Sequence, residues 1–180
     1  MKVICRFSCG AASAVATKRA LVKYPDAAIY RNDTGSEHPD NERFMRDCEE
    51  WFGKKVNVLT SDKYKNIWEV FDAKKFLASI HGAPCTSEMK RITVEEVKRV
   101  DRFKAQNEER IIECPLIDAG LTKKYCLDIL VGADIEIPMM YKLGFKNNNC
   151  LGCVKARDNL DYWKRIRKYF PERFEWYAKK

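Results

Sequence analysis

The stretch that decides the fold is "RFSCGAASAVATKRAL", which runs from Arg6 to Leu21. A short apolar segment passes through a turn of small residues into a segment with apolar residues at helical spacing. A strand, a tight turn and a helix place backbone N–H groups and a helix N-terminus at the carboxyl end of the strand, where phosphate is favoured. The stretch matches neither GxxxxGK[ST] nor GxGxxG, which disfavours two common nucleotide-binding folds. A tight turn needs small residues even without a ligand, so both interpretations stay open here.

The first sixty residues continue this alternation of strands and helices. We predict strands at 2–7, 27–32 and 55–60 and helices at 12–24 and 42–53. This order is typical of an α/β fold with a doubly wound, mainly parallel sheet and helices on both faces. Later elements are less distinct: helices at 66–79, 86–109, 121–132, 160–170 and 171–180, a strand at 110–117, and a polar loop at 145–159.

Length and composition limit the class of protein. The 180 residues suit a single domain, 1–180, with 46% hydrophobic and 33% charged residues. No apolar run approaches the roughly 20 residues of a spanning helix, and the N-terminus lacks the apolar region of a signal peptide. We therefore expect a cytoplasmic protein without a membrane partner.

The net charge of +8 suggests a polyanionic partner. The segment "YWKRIRKYF" alternates cations with aromatic residues, a pattern that suits phosphate contact and base stacking by a nucleic acid. The same pattern equally suits an amphipathic helix whose aromatic side chains belong to the core. Both interpretations concern Tyr162, Trp163, Tyr169 and Phe170.

A second polar segment follows the second predicted strand. Asp33, Thr34 and Gly35 come directly after it, beside the first loop if the strands are neighbours in a parallel sheet. Ligands of open α/β sheets bind in the crevice at the carboxyl ends of such strands. These residues are also ordinary turn formers. Together with the first loop, the segment indicates a nucleotide site.

Four segments in order resemble one family: "FSCGAASAVA", "NDTGSEHPDNERFM", "CTSEMKR" and "NNNCLGCVKA". They are similar to the phosphoadenosine-phosphosulfate reductase-like branch of the PP-loop superfamily, many of whose small members occur in phages. The resemblance covers nearly the whole chain. It implies the adenine nucleotide α-hydrolase-like fold, with a C-terminal helical extension that carries cysteines. It also implies a pocket for ATP or an adenylyl sulfate. The implied nucleotide-site residues are Ser8, Cys9, Gly10, Ala11, Ser13, Asp33, Thr34 and Gly35.

Two departures from the family pattern bear on activity. ATP-pyrophosphatase members carry an acid where this chain has Ala12, whereas the sulfonucleotide reductases tolerate small residues there. Those reductases also use a cysteine in a C-terminal Glu-Cys-Gly-Leu-His tail, but this chain has no cysteine after Cys153. The resemblance therefore implies sulfonucleotide reduction or nucleotide-dependent sulfur transfer without deciding between them. The alternative is a non-catalytic nucleotide-binding or nucleic-acid-associated protein with a structural metal.

Eight cysteines in a chain without a secretion signal point to metal or sulfur chemistry rather than disulfides. Cys150 and Cys153 form a CxxC, whose spacing lets two thiolates bind one metal or cluster. By resemblance, Cys85 joins them in a [4Fe–4S] cluster, with zinc as the alternative metal. We predict Cys126 as the fourth ligand, although its helical spacing equally suits a core residue. Cys5, Cys48 and Cys114 are predicted as buried core residues.

The resemblance also implies that Lys90 and Arg91 meet the anionic end of the nucleotide. The alternative is a solvated helix face in a lysine-rich chain. The expected partners are an adenine nucleotide and, for sulfur insertion, tRNA or DNA; a homo-oligomer is also left open.

Overall fold

A computed structural model describes residues 3–79, 82–91, 115–156 and 158–180. Its sheet has three parallel strands in the order β1-β2-β3. They are β1 (Ile4–Arg6), β2 (Ala28–Asn32) and β3 (Val56–Leu59). The three strands predicted in the first sixty residues are therefore confirmed.

Eight α-helices occur in the described part of the chain. The predicted helices that flank the strands, the one before the CxxC and the closing helical pair are confirmed to within a few residues. The α-helices are α1 (Ala11–Lys23), α2 (Asn41–Phe52), α3 (Ile67–Lys74), α4 (Pro115–Asp118), α5 (Lys123–Gly132), α6 (Met139–Lys142), α7 (Leu160–Tyr169) and α8 (Pro171–Ala178). The described residues also contain a π-helical segment, Thr86–Arg91, and a 3₁₀ turn, Val154–Ala156.

Local capping explains where several helices begin and end. The Asn159 side chain accepts a hydrogen bond from Tyr162 N (3.0 Å) and begins α7. Gly53 ends α2 with φ 69°, the left-handed conformation that glycine adopts without strain. These residue types carry their conformational preference in the local sequence, which is why the element boundaries were predictable.

The predicted strand at 110–117 is wrong where the structure describes it. Residues 110–114 lie outside the described part, and Pro115–Asp118 is helical. Proline is favoured in the first turn of a helix because its missing N–H is not needed there. The predicted helix at 66–79 ends at Lys74, because Lys75 adopts a left-handed conformation with φ 60°. Of the predicted helix at 86–109, the structure describes only the π-helical segment.

The described strands establish an α/β fold with a parallel sheet, in which β2 lies between β1 and β3. This is the arrangement of one half of a doubly wound sheet. The second half, and with it the adenine nucleotide α-hydrolase-like fold, stays a prediction.

Buried side chains form two clusters. The first core packs α1, α2 and α5 on the sheet and contains Ile29, Phe44 and Cys126. The second core joins α3, the CxxC loop and the last two helices, and contains Val70 and Cys150. The opening loop is therefore supported by the first core, and the CxxC is supported by the second core.

Within the described ranges, no helix is both long and apolar enough to cross a membrane.

Candidate nucleotide and cysteine site

The opening loop is held together by the Ser13 hydroxyl. This oxygen accepts hydrogen bonds from Ser8 N (3.1 Å) and Gly10 N (3.2 Å) and donates to Gly10 O (2.9 Å). Gly10 is the N-cap of α1, at the carboxyl end of β1. The structure therefore brings the predicted residues Ser8, Gly10 and Ser13 together around one helix N-terminus.

Tyr141, which sequence reasoning missed, lies against the same helix N-terminus. Its hydroxyl oxygen accepts a hydrogen bond from Ala11 N at 3.2 Å. A Cβ added to Gly10 would stand 3.4 Å from that oxygen, at van der Waals contact. Burial raises the pKa of the Tyr141 phenol, which keeps it protonated. A residue 130 positions away leaves no local signal in the sequence of the loop.

Cys9 turns its side chain away from the ligand side of the loop. The thiol is fully buried in the first core, and burial raises its pKa to about 12. Its backbone has φ 53°, and its carbonyl accepts a hydrogen bond from Asn148 Nδ2 at 2.5 Å. The thiol therefore stays protonated and packs as a small core side chain, while only the Cys9 backbone belongs to the loop.

The segment after β2 forms a tight turn beside the loop. The Asp33 carboxylate accepts a hydrogen bond from Gly35 N (2.9 Å), an Asx-type turn. Gly35 has φ 59°, and a Cβ at this position would lie only 2.0 Å from Lys65 O. Glycine is therefore required at this position both by conformation and by close approach of the backbone.

Thr34 connects this turn directly to the CxxC. Its Oγ1 donates to Glu37 Oε1 (2.8 Å) and lies 3.3 Å from Cys150 Sγ. The Cys150 thiol donates to the same carboxylate oxygen at 3.6 Å. Leu151 N adds a backbone hydrogen bond to Ser36 O at 2.8 Å. The structure thus joins two predicted segments 116 residues apart in sequence.

The charges around the loop are mixed. Arg31, on β2, is 3% exposed, and its guanidinium donates to Glu42 Oε1 (2.9 Å) with Asp33 Oδ1 at 3.8 Å. The nearby carboxylates of Asp33, Glu37 and Glu42 counteract the positive potential of the α1 N-terminus. A phosphate group here would therefore depend on directed hydrogen bonds rather than on a cluster of cations.

The CxxC loop is organised by the hydroxyl of Tyr162 on α7. This group donates to Cys150 O (2.9 Å) and accepts from Gly152 N (2.9 Å) and Cys153 N (2.7 Å). Gly152 has φ 81°, and its missing Cβ would overlap the ring of Tyr177. The last two helices therefore support the backbone of the CxxC.

Tyr162→Phe should lower the free energy of unfolding by about 3 kcal/mol, because two buried and one partly buried backbone group of the CxxC loop lose their partner. Urea denaturation measures the change. Tyr125→Phe, which alters a tyrosine that is 57% exposed, is the control and should be neutral. Equal stability of both variants would contradict this role of the Tyr162 hydroxyl.

The predicted metal ligands fall into two places. Cys150 belongs to the second core, with Cys85 and Cys153 packed against it, whereas Cys126 is fully buried in the first core. Across residues 3–79, 82–91, 115–156 and 158–180, no three His, Cys, Asp or Glu side chains converge in a metal-binding arrangement. Lys90 falls on the π-helical segment that follows Cys85.

Three predictions about further side chains have different outcomes. Cys5 and Cys48 are buried in the first core, as predicted. Cys114 lies outside the described residues. The side chains of Lys90 and Arg91 also lie outside the described part, so their predicted contact with the nucleotide is not tested.

Two buried hydrogen-bond donors near the CxxC lack an acceptor within the described part of the chain. They are the Tyr177 hydroxyl and Trp68 Nε1. The Tyr177 phenol lies close enough to Cys85 and Cys150 for their charges to raise its pKa, although burial is the largest cause of the rise. Buried donors are normally satisfied. An anionic acceptor between these groups, such as a metal thiolate or sulfide, would supply what they lack.

The aromatic residues of the closing helices are mainly core residues. Tyr162 is buried, and Trp163 and Phe170 pack against the second core, while Tyr169 is 37% exposed. This confirms the amphipathic-helix interpretation for three of the four aromatic residues. Cations such as Arg167 and Lys168 stay on the outer side.

In comparisons with known proteins, no family model and no curated protein matches this chain. The resemblance to the reductase-like branch therefore rests on the four sequence motifs.

Proposed function

We propose that the protein binds an adenine nucleotide at the opening loop and the Asp33–Gly35 turn, and holds a cysteine-ligated metal centre next to it. The proposed activity belongs to sulfur metabolism, as either reduction of a sulfonucleotide or nucleotide-dependent sulfur transfer to tRNA or DNA. In this proposal the chain is a PP-loop-like domain with a doubly wound sheet.

The observation that carries the proposal is the contact between Thr34 and Cys150, whose Oγ1 and Sγ atoms lie 3.3 Å apart. Thr34 belongs to the predicted nucleotide segment, and Cys150 to the predicted metal site. Two independent sequence signals for nucleotide and sulfur chemistry therefore meet at one place. Glu37 bridges them, because its carboxylate accepts from both the threonine and the thiol.

The chemistry of the side chains supports a metal–sulfur centre, although no three of the described His, Cys, Asp or Glu side chains converge in a metal-binding arrangement. Cys150 belongs to the second core and Cys85 and Cys153 pack against it, and their thiolates would be soft ligands for such a centre. The two buried donors without an acceptor, Tyr177 and Trp68, complement the negative charge of such a centre. We propose a [4Fe–4S] cluster, with zinc as the alternative; Cys126 stays the predicted fourth ligand. When bound, the cluster would supply electrons or, if Cys126 is not a ligand, an open iron for sulfur.

The remaining roles in the proposed site belong to backbone and side-chain groups of the protein. The amides of Ser8, Gly10 and Ala11 now bond to hydroxyl oxygens of Ser13 and Tyr141, positions that phosphate oxygens could take. Thr34 and Glu37 orient the Cys150 thiol. Tyr162 fixes the backbone of the CxxC.

Cys150→Ser is the test of the metal site. Anaerobically purified wild type should contain iron and acid-labile sulfide, or zinc, and the variant should lose nearly all of it, because a serine hydroxyl is a poor ligand for these metals. Cys48→Ala, a thiol in the first core, is the matched control and should retain the metal. Cys126→Ala tests the predicted fourth ligand separately. Metal-free wild type after anaerobic reconstitution would contradict the metal site.

Nucleotide binding is tested on the same preparations by calorimetry with ATP and an adenylyl sulfate. Ser13→Ala should weaken binding, because the Ser13 hydroxyl organises the loop amides. The absence of binding to wild type would contradict the nucleotide site without bearing on the metal.

The second candidate is a non-catalytic nucleotide-binding or nucleic-acid-associated protein with a structural metal. Two observations favour this candidate. The loop amides already have hydrogen-bond acceptors within the chain, and carboxylates surround the loop. This candidate predicts a zinc-containing protein without turnover, or binding to tRNA or DNA that weakens steeply with salt.

A further inference from the structure

Tyr177 on α8 lies directly over the CxxC. A Cβ built on Gly152 would stand 2.0 Å from Tyr177 Cε2 and 2.8 Å from Cζ, so an edge of the phenol ring packs against the glycine between the two cysteines. The ring is held on its other sides by Phe71, Trp163 and Trp176, at centroid distances of 6.3, 5.2 and 4.9 Å. The position of its hydroxyl is therefore imposed by packing.

The Tyr177 hydroxyl is buried and has no hydrogen-bond partner among the described residues. Trp68 Nε1 faces the phenol oxygen without reaching hydrogen-bond geometry, and it too has no partner there. Tyrosine and tryptophan normally find a partner when their polar atoms are buried. By contrast, the Tyr162 hydroxyl at the same loop has three partners.

Phenol O–H and indole N–H groups are donors, and the acceptor suited to both is an anion. The phenol ring contacts Gly152 between Cys150 and Cys153, and Cys85 packs against the same core. These thiols become anionic when they bind a metal. Hydrogen bonds to thiolate or sulfide sulfur stabilise the negative charge of the centre and orient its ligands. A donor that is unsatisfied in the metal-free chain would then be satisfied in the metal-bound chain.

We propose that the Tyr177 hydroxyl, backed by the Trp68 indole N–H, is a hydrogen-bond donor to the sulfur of a metal centre at Cys85, Cys150 and Cys153. The inference rests on the proposed function. In this inference, α8 contributes Tyr177 to the cysteine site as a positioning residue and not as a metal ligand.

The test is Tyr177→Phe, which removes one oxygen and keeps the ring on Gly152. Wild type and variant are loaded anaerobically with Zn²⁺ and, in parallel, with ferrous iron and sulfide, and metal retention is measured against a chelator. We expect the variant to bind metal roughly 10-fold more weakly, the lower end for loss of an outer-shell hydrogen bond. Tyr169→Phe, a more exposed tyrosine on α7, is the matched control and should retain metal like wild type.

Thermal unfolding of the metal-free proteins separates this role from a structural one. Because the hydroxyl has no partner without metal, Tyr177→Phe should leave the Tm unchanged or raise it. A lower Tm would identify an ordinary structural hydroxyl and overturn the inference. Equal metal retention by wild type and Tyr177→Phe would also overturn it and leave the metal site standing. Failure of wild type to bind either metal would refute the proposed metal site and the inference with it.

Discussion

Gly35→Ala should lower the free energy of unfolding by about 4 kcal/mol, one of the largest effects expected in this chain. Two causes add. The residue has φ 59°, which disfavours any side chain with a Cβ. The new Cβ would also lie 2.0 Å from the backbone oxygen of Lys65, which cannot rotate away as a side chain would. Urea unfolding measures the loss.

Gly53→Ala is the matched control for this prediction. Gly53 has φ 69°, but a Cβ there would meet nothing within 4 Å. Only the conformational cost remains, about 1 kcal/mol. Equal losses in the two variants would show that the close approach of Gly35 to Lys65 does not constrain the turn.

Gly152→Ala should also cost about 4 kcal/mol and should abolish metal retention. Its Cβ would overlap the Tyr177 ring, with the closest atom at 2.0 Å, and the surrounding aromatic rings prevent that ring from swinging aside. The backbone has φ 81° as well, so the loop would have to change shape between Cys150 and Cys153. Urea unfolding and metal analysis after anaerobic loading measure the two losses.

A double variant isolates the cause of this effect. Because Tyr177→Ala removes the ring, Gly152→Ala should cost much less in that background, and the two changes should be strongly non-additive. Gly120→Ala, with φ 61° and nothing within 4 Å of its Cβ, reports the conformational part alone. Additive losses from Gly152 and Tyr177 would contradict the packing explanation.

The sequence anticipated the half of the fold whose signals are local. Apolar periodicity, the glycine after α2 and the cap before α7 each carry their preference within a few residues, so β1, α1, β2, α2 and β3 were predictable. The strand at 110–117 was misread at its end, because Pro115 suits both the end of a strand and the first turn of a helix.

The candidate site was predictable only as separate pieces. The loop, the Asp33–Gly35 turn and the CxxC each have a recognisable composition, but nothing local shows that Thr34 touches Cys150 or that Glu37 lies between them. Tyr141 and Tyr177 were missed because an isolated tyrosine in a helix resembles an ordinary core residue.

By itself, the sequence therefore determined the parallel α/β order of the first sixty residues and the chemical character of the loops, since backbone preference and residue chemistry are local properties. Only the tertiary structure decided which thiols share a core, which tyrosine hydroxyls face the CxxC, and which of them lacks a partner. Those are properties of distances between separate segments, which for Thr34 and Cys150 are 116 residues apart in sequence. Packing of whole elements sets such distances, and no local pattern records them.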